Sequence, residues 1–180
     1  LASLGIPGFE TKQAIVYSPA NFRMHINPAI KAAYFYDASA SAGSRYTTLT
    51  TVLTDRTSTG TGTSLDSRQS GDRLYICCSD VVGGLNVDMV AASVNGTACV
   101  LTVKYWNGTA WADTSASDNT ASGGASFAQD GTITFTAPTD FRNANLGGSN
   151  PQSIFRVLET AVANDEPTEH GFWLELSWTL

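Results

Sequence analysis

Hydrophobic positions along this chain recur at every second residue far more often than at every third or fourth. Side chains alternate between the two faces of a strand, so this period predicts strands that present one apolar face. Cys99, Leu101, Val103 and Tyr105 alternate with Val100, Thr102, Lys104 and Trp106, and Thr132-Ile133-Thr134-Phe135-Thr136 alternates without a fault. In the C-terminal segment Phe172, Leu174, Leu176 and Trp178 share one face, with Trp173, Glu175, Ser177 and Thr179 on the other. Arg73 to Cys77 and Leu85 to Val90 supply two more strands, and Thr47 to Leu53 and Ala14 to Tyr17 are weaker ones. Helical spacing is scarce. Pro28 to Ala33 is the best helix, with proline near a first turn, but it runs into Ala33-Tyr34-Phe35-Tyr36, which suits a strand equally well. Ser153 to Thr160 fits both periods.

Turn chemistry separates these segments. Asn95-Gly96 and Asn107-Gly108 are hairpin dipeptides of the type I′ kind, in which both central residues take positive φ, and Asp130-Gly131 before the Ile133 strand reads the same way. The run from Tyr105 to Trp111 is therefore a tight hairpin with an aromatic residue on each arm. Short strands, explicit turns and no intervening helices predict an all-β antiparallel sandwich, jelly-roll-like. Residues 1–45 hold three of the six prolines and lack clean alternation, so they read as an irregular N-terminal arm ahead of a sandwich domain over 46–180. Within that domain the Thr/Ser/Gly stretch 55–72 reads as a long surface loop.

Composition narrows the function. At 180 residues and 42% hydrophobic, the chain can bury a core of its own as one domain. Charged residues are only 14%, with Ser and Thr as the polar filler, which suits strands and turns. Ten Lys+Arg against 16 Asp+Glu leave a net charge of -6 and no basic footprint for nucleic acid. No apolar run reaches the roughly 18–20 residues of a membrane span, and no basic-then-apolar leader opens the chain, so neither a membrane nor a signal peptide is expected. Three cysteines, two of them the adjacent Cys77 and Cys78 and the third Cys99, are not a disulfide framework. One thiol of the pair is expected inside and the other half-exposed, in a reduced, intracellular setting.

Candidate chemistry is thin. His25 and His170 lie near opposite ends, and Asp165, Glu166 and Glu169 beside His170 lack the spacing of a metal site on a regular element, so no metal or cofactor is expected. Gly60-Thr61-Gly62 is not placed between a strand and a helix, where it would cradle phosphate. Nothing local pairs Cys77 or Cys78 with a histidine as a nucleophile. Asp118, Asp130 and Asp140 are a conceivable carboxylate pair for glycoside chemistry, but each stands among turn-forming residues. The Asn95 and Asn107 sequons are explained by their turns. Trp106, Trp111, Trp173 and Trp178 remain. Alternation is expected to turn one of each close pair inward, leaving Trp106 and Trp173 to cover a second layer, a partner subunit or a ligand. Stacking on sugar rings by Trp106, Trp111 or Trp173 is the alternative.

One stretch resembles a β-sandwich module of tailed-bacteriophage virion proteins. The resemblance rests on Tyr105-Trp106-Asn107-Gly108-Thr109-Ala110-Trp111, then Asp118-Asn119-Thr120, Phe127-Ala128-Gln129-Asp130-Gly131-Thr132-Ile133-Thr134-Phe135, Pro138-Thr139-Asp140-Phe141 and the closing Gly171-Phe172-Trp173-Leu174-Glu175-Leu176. Arg73-Leu74-Tyr75-Ile76 and Gly84-Leu85-Asn86-Val87 fit its first strands, so the likeness runs over about residues 70–180. Asn119, Phe141 and Glu175 stand where that pattern has Gly, Trp and Arg. The resemblance implies a non-enzymatic part of a virus particle assembled in the host cytoplasm: a head decoration (cement) protein, or else a tail or baseplate accessory. It implies contacts with the major capsid protein or other virion proteins, and a homo-oligomer. The expected contact residues are Ile15, Tyr17, Phe22, Tyr34, Phe35 and Tyr36 of the arm, with Trp106 and Trp173.

Overall fold

The computed structural model describes residues 29–41, 43–54, 68–89, 94–145 and 169–180. Its strands are β1 (Ile30–Tyr36), β2 (Tyr46–Thr48), β3 (Arg73–Cys78), β4 (Gly84–Val87), β5 (Val100–Trp106), β6 (Trp111–Asp113), β7 (Ser117–Asp118), β8 (Gly131–Thr134), β9 (Asn143–Asn145) and β10 (His170–Thr179), with one short helix, α1 (Thr50–Thr54). Every strand pairing is antiparallel. A seven-stranded sheet runs β2-β1-β3-β10-β5-β6, with β9 beside the start of β10, and a three-stranded sheet runs β4-β8-β7. The fold is the expected all-β antiparallel sandwich.

β10 is the spine. One edge pairs with β3 from Phe172 to Ser177, while the other pairs with β9 from His170 to Phe172 and with β5 from Leu174 to Thr179. The core lies between the sheets. Leu174, Leu176 and Trp178 of β10 meet Leu74, Ile76 and Cys78 of β3, Val103 and Tyr105 of β5, and Ile133 of β8, with Phe127 and Phe141 closing the sides. Ile133 and Leu174 are 0% exposed.

Several expectations change. The helix over 28–33 is a strand from Ile30 onward, because Ala33 and Phe35 face the core and period two wins where a sheet edge is there to be extended. The sandwich therefore begins at Ile30, ahead of the expected boundary at 46, and Phe35 packs on this chain's own core instead of a neighbour's. Thr47 to Leu53 divides into β2 and α1, joined at the buried Leu49, whose amide bonds Ala33 O at 2.7 Å. The end of the 55–72 stretch is surface only in part: Gln69, Ser70 and Gly71 are exposed, but Arg68 and Asp72 are buried. Asp72 accepts from the amides of Ala38 (2.9 Å) and Gln69 (2.6 Å), and Arg68 Nη2 donates to Cys99 Sγ at 3.2 Å. Ile15, Tyr17, Phe22, the strand expected over 14–17 and the segment 153–160 lie outside the described residues.

None of the three Gly dipeptides forms a type I′ turn, since Asn95, Asn107 and Asp130 do not take positive φ. At 107–110 a four-residue loop links Trp106 to its partner Trp111, with only Gly108 (φ +99°) in the left-handed region. Gly131 is needed for close approach instead: a Cβ there would lie 2.5 Å from Asn119 O. Asn95 is a buried amide that ties its loop to Ser126 and Cys99.

Removing the side chain at the centre of this core should cost about 2–5 kcal/mol. Urea denaturation of Ile133→Ala is expected to show a loss of that size, and a loss well below it would mean that the small sheet does not close the core.

Candidate functional site

The second face of the large sheet is where chemistry-bearing side chains gather. Register carries one row of direct partners across six strands: Thr48, Tyr34, Tyr75, Glu175, Lys104 and Asp113. Direct partners in a sheet stand about 5 Å apart on the same face. Neighbouring rows add Tyr46, Tyr36, Arg73 and Ser177 on one side, and Ala32, Cys77 and Trp173 on the other. An outward sheet face is normally polar. This one holds a second apolar cluster of Ala32, Tyr46, Tyr75, Cys77 and Trp173, flanked by the half-buried Tyr34, Tyr36, Trp106 and Trp111.

The rings form a continuous chain over the sheet. Tyr36 and Tyr46 are 5.1 Å apart, Tyr46 and Tyr75 6.5 Å, Tyr75 and Trp111 5.6 Å, and Trp111 and Trp106 5.6 Å in an edge-on contact. Tyr75 and Trp111 belong to β3 and β6, so their rings reach toward each other across β10 and β5, the strands that carry Glu175 and Lys104.

Glu175 is the unusual group, only 6% exposed in the middle of the widest sheet. Tyr75 Oη donates to its Oε2 at 3.3 Å, while Arg73 Nε and Lys104 Nζ each stand 3.8 Å from Oε1. Burial pushes its carboxyl above the usual carboxylate range, against the opposing pull of Lys104, Arg73 and the Tyr75 hydroxyl. Burial likewise raises the Tyr75 phenol, with the Glu175 charge adding to it. At the row's other end Tyr34 Oη donates to both carboxylate oxygens of Glu169 at 2.8 Å, and its phenol is raised by burial and by that carboxylate. Lys31 Nζ donates to His170 O.

The remaining candidates fall into structural roles. Cys77 and Cys78 face opposite clusters and both are buried, so the expected half-exposed thiol is absent; the second face is covered as well as the first. Burial pushes both thiols to about 12, which leaves them protonated and poor nucleophiles at neutral pH. Asp118 accepts from the Thr120 amide and hydroxyl, Asp130 from the Met89 amide and Asp140 from the Tyr105 hydroxyl, so these carboxylates bind their own chain. Among the described residues no group of three or more His, Cys, Asp or Glu could hold a metal ion. Nor, among them, is any helix long and apolar enough to cross a membrane.

Trp173 requires correction. It is 0% exposed, its Nε1 donates to Ala144 O at 3.1 Å, and its ring lies 6.4 Å from that of Tyr34. It is neither a sugar platform nor an outside contact. The expected split of Trp106 and Trp111 between faces also fails, because they are direct cross-strand partners and such partners share a face. Of the four tryptophans only Trp178 enters the inter-sheet core. Sequence reasoning passed over Tyr75, Lys104 and Arg73. The signal was the strand pair itself: β3 and β10 carry large or charged residues at both parities, which marks strands covered on both sides.

Because the folded-state pKa of Glu175 stands above its unfolded value, the folded chain takes up this proton first as pH falls. Its contribution to stability rises as pH drops through the folded value and is complete below the unfolded one. Glu175→Gln should be at least as stable as the parent at neutral pH and should lack this acid-side rise in urea midpoints. An unchanged pH profile would refute the burial argument.

Comparison with protein-family models, with curated proteins and with solved structures returned no match.

Proposed function

We propose that this chain is a non-enzymatic structural protein of a bacteriophage virion, a capsid decoration protein that joins neighbouring shell subunits through the aromatic face of its large sheet. The observation that carries the reading is that face. Tyr34, Tyr36, Trp106 and Trp111 are half-buried over an apolar cluster where polar alternation is the norm. Aromatic side chains of this kind anchor protein interfaces. The fold accounts for the acidic turn residues Asp118, Asp130 and Asp140 as acceptors for their own chain, and that supports a binding role over hydrolysis.

The residues that resemble the virion module are divided between the two sheets and adjoin one another within each. The Trp106–Trp111 hairpin forms one edge of the large sheet, and the segment closing on Leu176 is its centre. A protein that binds only the assembled shell stabilises it by mass action and needs no catalytic group. Its low charge suits burial against another protein, and a second copy of this chain or the major capsid protein would be the partner.

The purified chain should co-sediment with assembled particles and not with dissociated shell subunits. Trp106→Ala, with its sheet intact by circular dichroism, should weaken that binding by about tenfold or more, as truncating an aromatic anchor does. Location on the tail in images of intact particles would shift the assignment to a tail accessory. Quenching of tryptophan fluorescence by a soluble glycan, with no particle binding, would replace it with a carbohydrate-binding module.

A further inference from the structure

The chain contains two Asn-Gly pairs, and the fold holds them in opposite ways. We propose that Asn107-Gly108, at the tip of the tryptophan hairpin, is a site of spontaneous backbone modification that yields aspartate and isoaspartate, and that Asn95-Gly96 is protected from it. In this reaction the Gly108 nitrogen attacks Asn107 Cγ, and Oδ1 becomes an oxyanion. The Gly108 amide gives up its proton to solvent base, and the oxyanion collapses with cleavage of the Cγ–Nδ2 bond. The departing NH2 takes a proton from water and leaves as ammonia, and the resulting cyclic imide takes up one water to open at either carbonyl. Nitrogen is lost and water gained, with no oxidant or cofactor.

Three donors converge on Asn107 Oδ1: the Thr109 amide at 3.0 Å, the Thr109 hydroxyl at 3.0 Å and the Ala110 amide at 2.8 Å. They polarise the carboxamide carbon and stand where the oxyanion forms, which is the arrangement that lowers the barrier to acyl attack. Among the described residues neither Asn107 Nδ2 nor the Gly108 amide donates to an acceptor, so neither the leaving group nor the nucleophile is tied down. Gly108 is exposed and carries no side chain to hinder the approach.

Gly96 is exposed as Gly108 is, and the difference lies in the Asn95 carboxamide. It is buried, and its Nδ2 is held by Thr97 O at 2.9 Å, Ser126 O at 2.8 Å and Cys99 Sγ at 3.3 Å. Among the described residues its Oδ1 receives the Thr97 amide alone, at 2.9 Å. A leaving nitrogen that donates to three acceptors away from water is poorly placed to depart as ammonia.

Isoaspartate would add a backbone methylene between Trp106 and Trp111 and change the reach of their loop, and either product adds a negative charge there. The test is to age the full chain in mildly alkaline buffer, folded and in denaturant, and to follow both sites by peptide mapping with isoaspartate-specific detection. In the folded chain residue 107 should convert about tenfold or more faster than residue 95, the order of effect expected from such polarising donors. In denaturant the two rates should converge. Thr109→Val should slow residue 107 severalfold and leave residue 95 as an unchanged internal standard. Equal rates in the folded chain, or faster conversion at 95, would overturn the proposal. So would a rate at residue 107 that Thr109→Val leaves untouched, or one lower folded than unfolded.

Discussion

A strand with hydrogen-bonded neighbours on both edges has two faces to cover, and β10 is such a strand for most of its length. Leu174, Leu176 and Trp178 point into the space between the sheets, where the small sheet, Phe127 and Phe141 meet them. Trp173 and Glu175 point the other way, where no second sheet lies among the described residues. The aromatic chain from Tyr36 to Trp111 is the answer to that requirement. Each ring covers a large area and keeps its polar atoms at the rim. The same solution leaves half-buried rings on the outside, and these are the surface proposed for assembly.

Glu175 shows what the cover costs. A carboxylate placed under rings loses hydration that two cations at 3.8 Å return only in part. Lys104 and Arg73 are themselves partly exposed, so water weakens their pull. The row Glu175–Lys104–Asp113 nevertheless alternates in sign across adjacent strands, which disfavours any one-residue slip of β10 against β5. The group thus reads as a register marker whose energetic penalty is borne by the surrounding core.

How much was legible follows from what period two encodes. The strands at Val100 and Gly131 carry clear alternation, those at Arg73 and His170 carry strand-forming residues on both faces, and all four stand where the sequence puts them. Alternation says which residues share a face within a strand and nothing about which strands pair. For that reason alternation alone places Trp106 and Trp111 on different faces although the hairpin makes them partners, and places Trp173 outside although Ala144 and Tyr34 enclose it. Pro28 to Ala33 misled in the other direction, because a short apolar run satisfies both periods and only the neighbouring β3 decides between them. Asn95 looked like a turn residue by type. Its burial depends on Cys99 and Ser126, the latter 31 positions away and invisible to any local rule.

The place of β10 in the chain also sets a timetable. β1, β2 and β3 can pair with one another as they emerge, and so can β5 and β6, but these two groups never touch edge to edge. Among the described strands only β10 joins them, and its partners on β3 lie about a hundred residues earlier. Until it is synthesised, β3 and β5 each present an unpaired edge flanked by large apolar side chains, a template for pairing with the wrong chain. Final closure is therefore a long-range event, and such closures are slow. The interval before it is when a crowded cell would most easily lose this protein to aggregation.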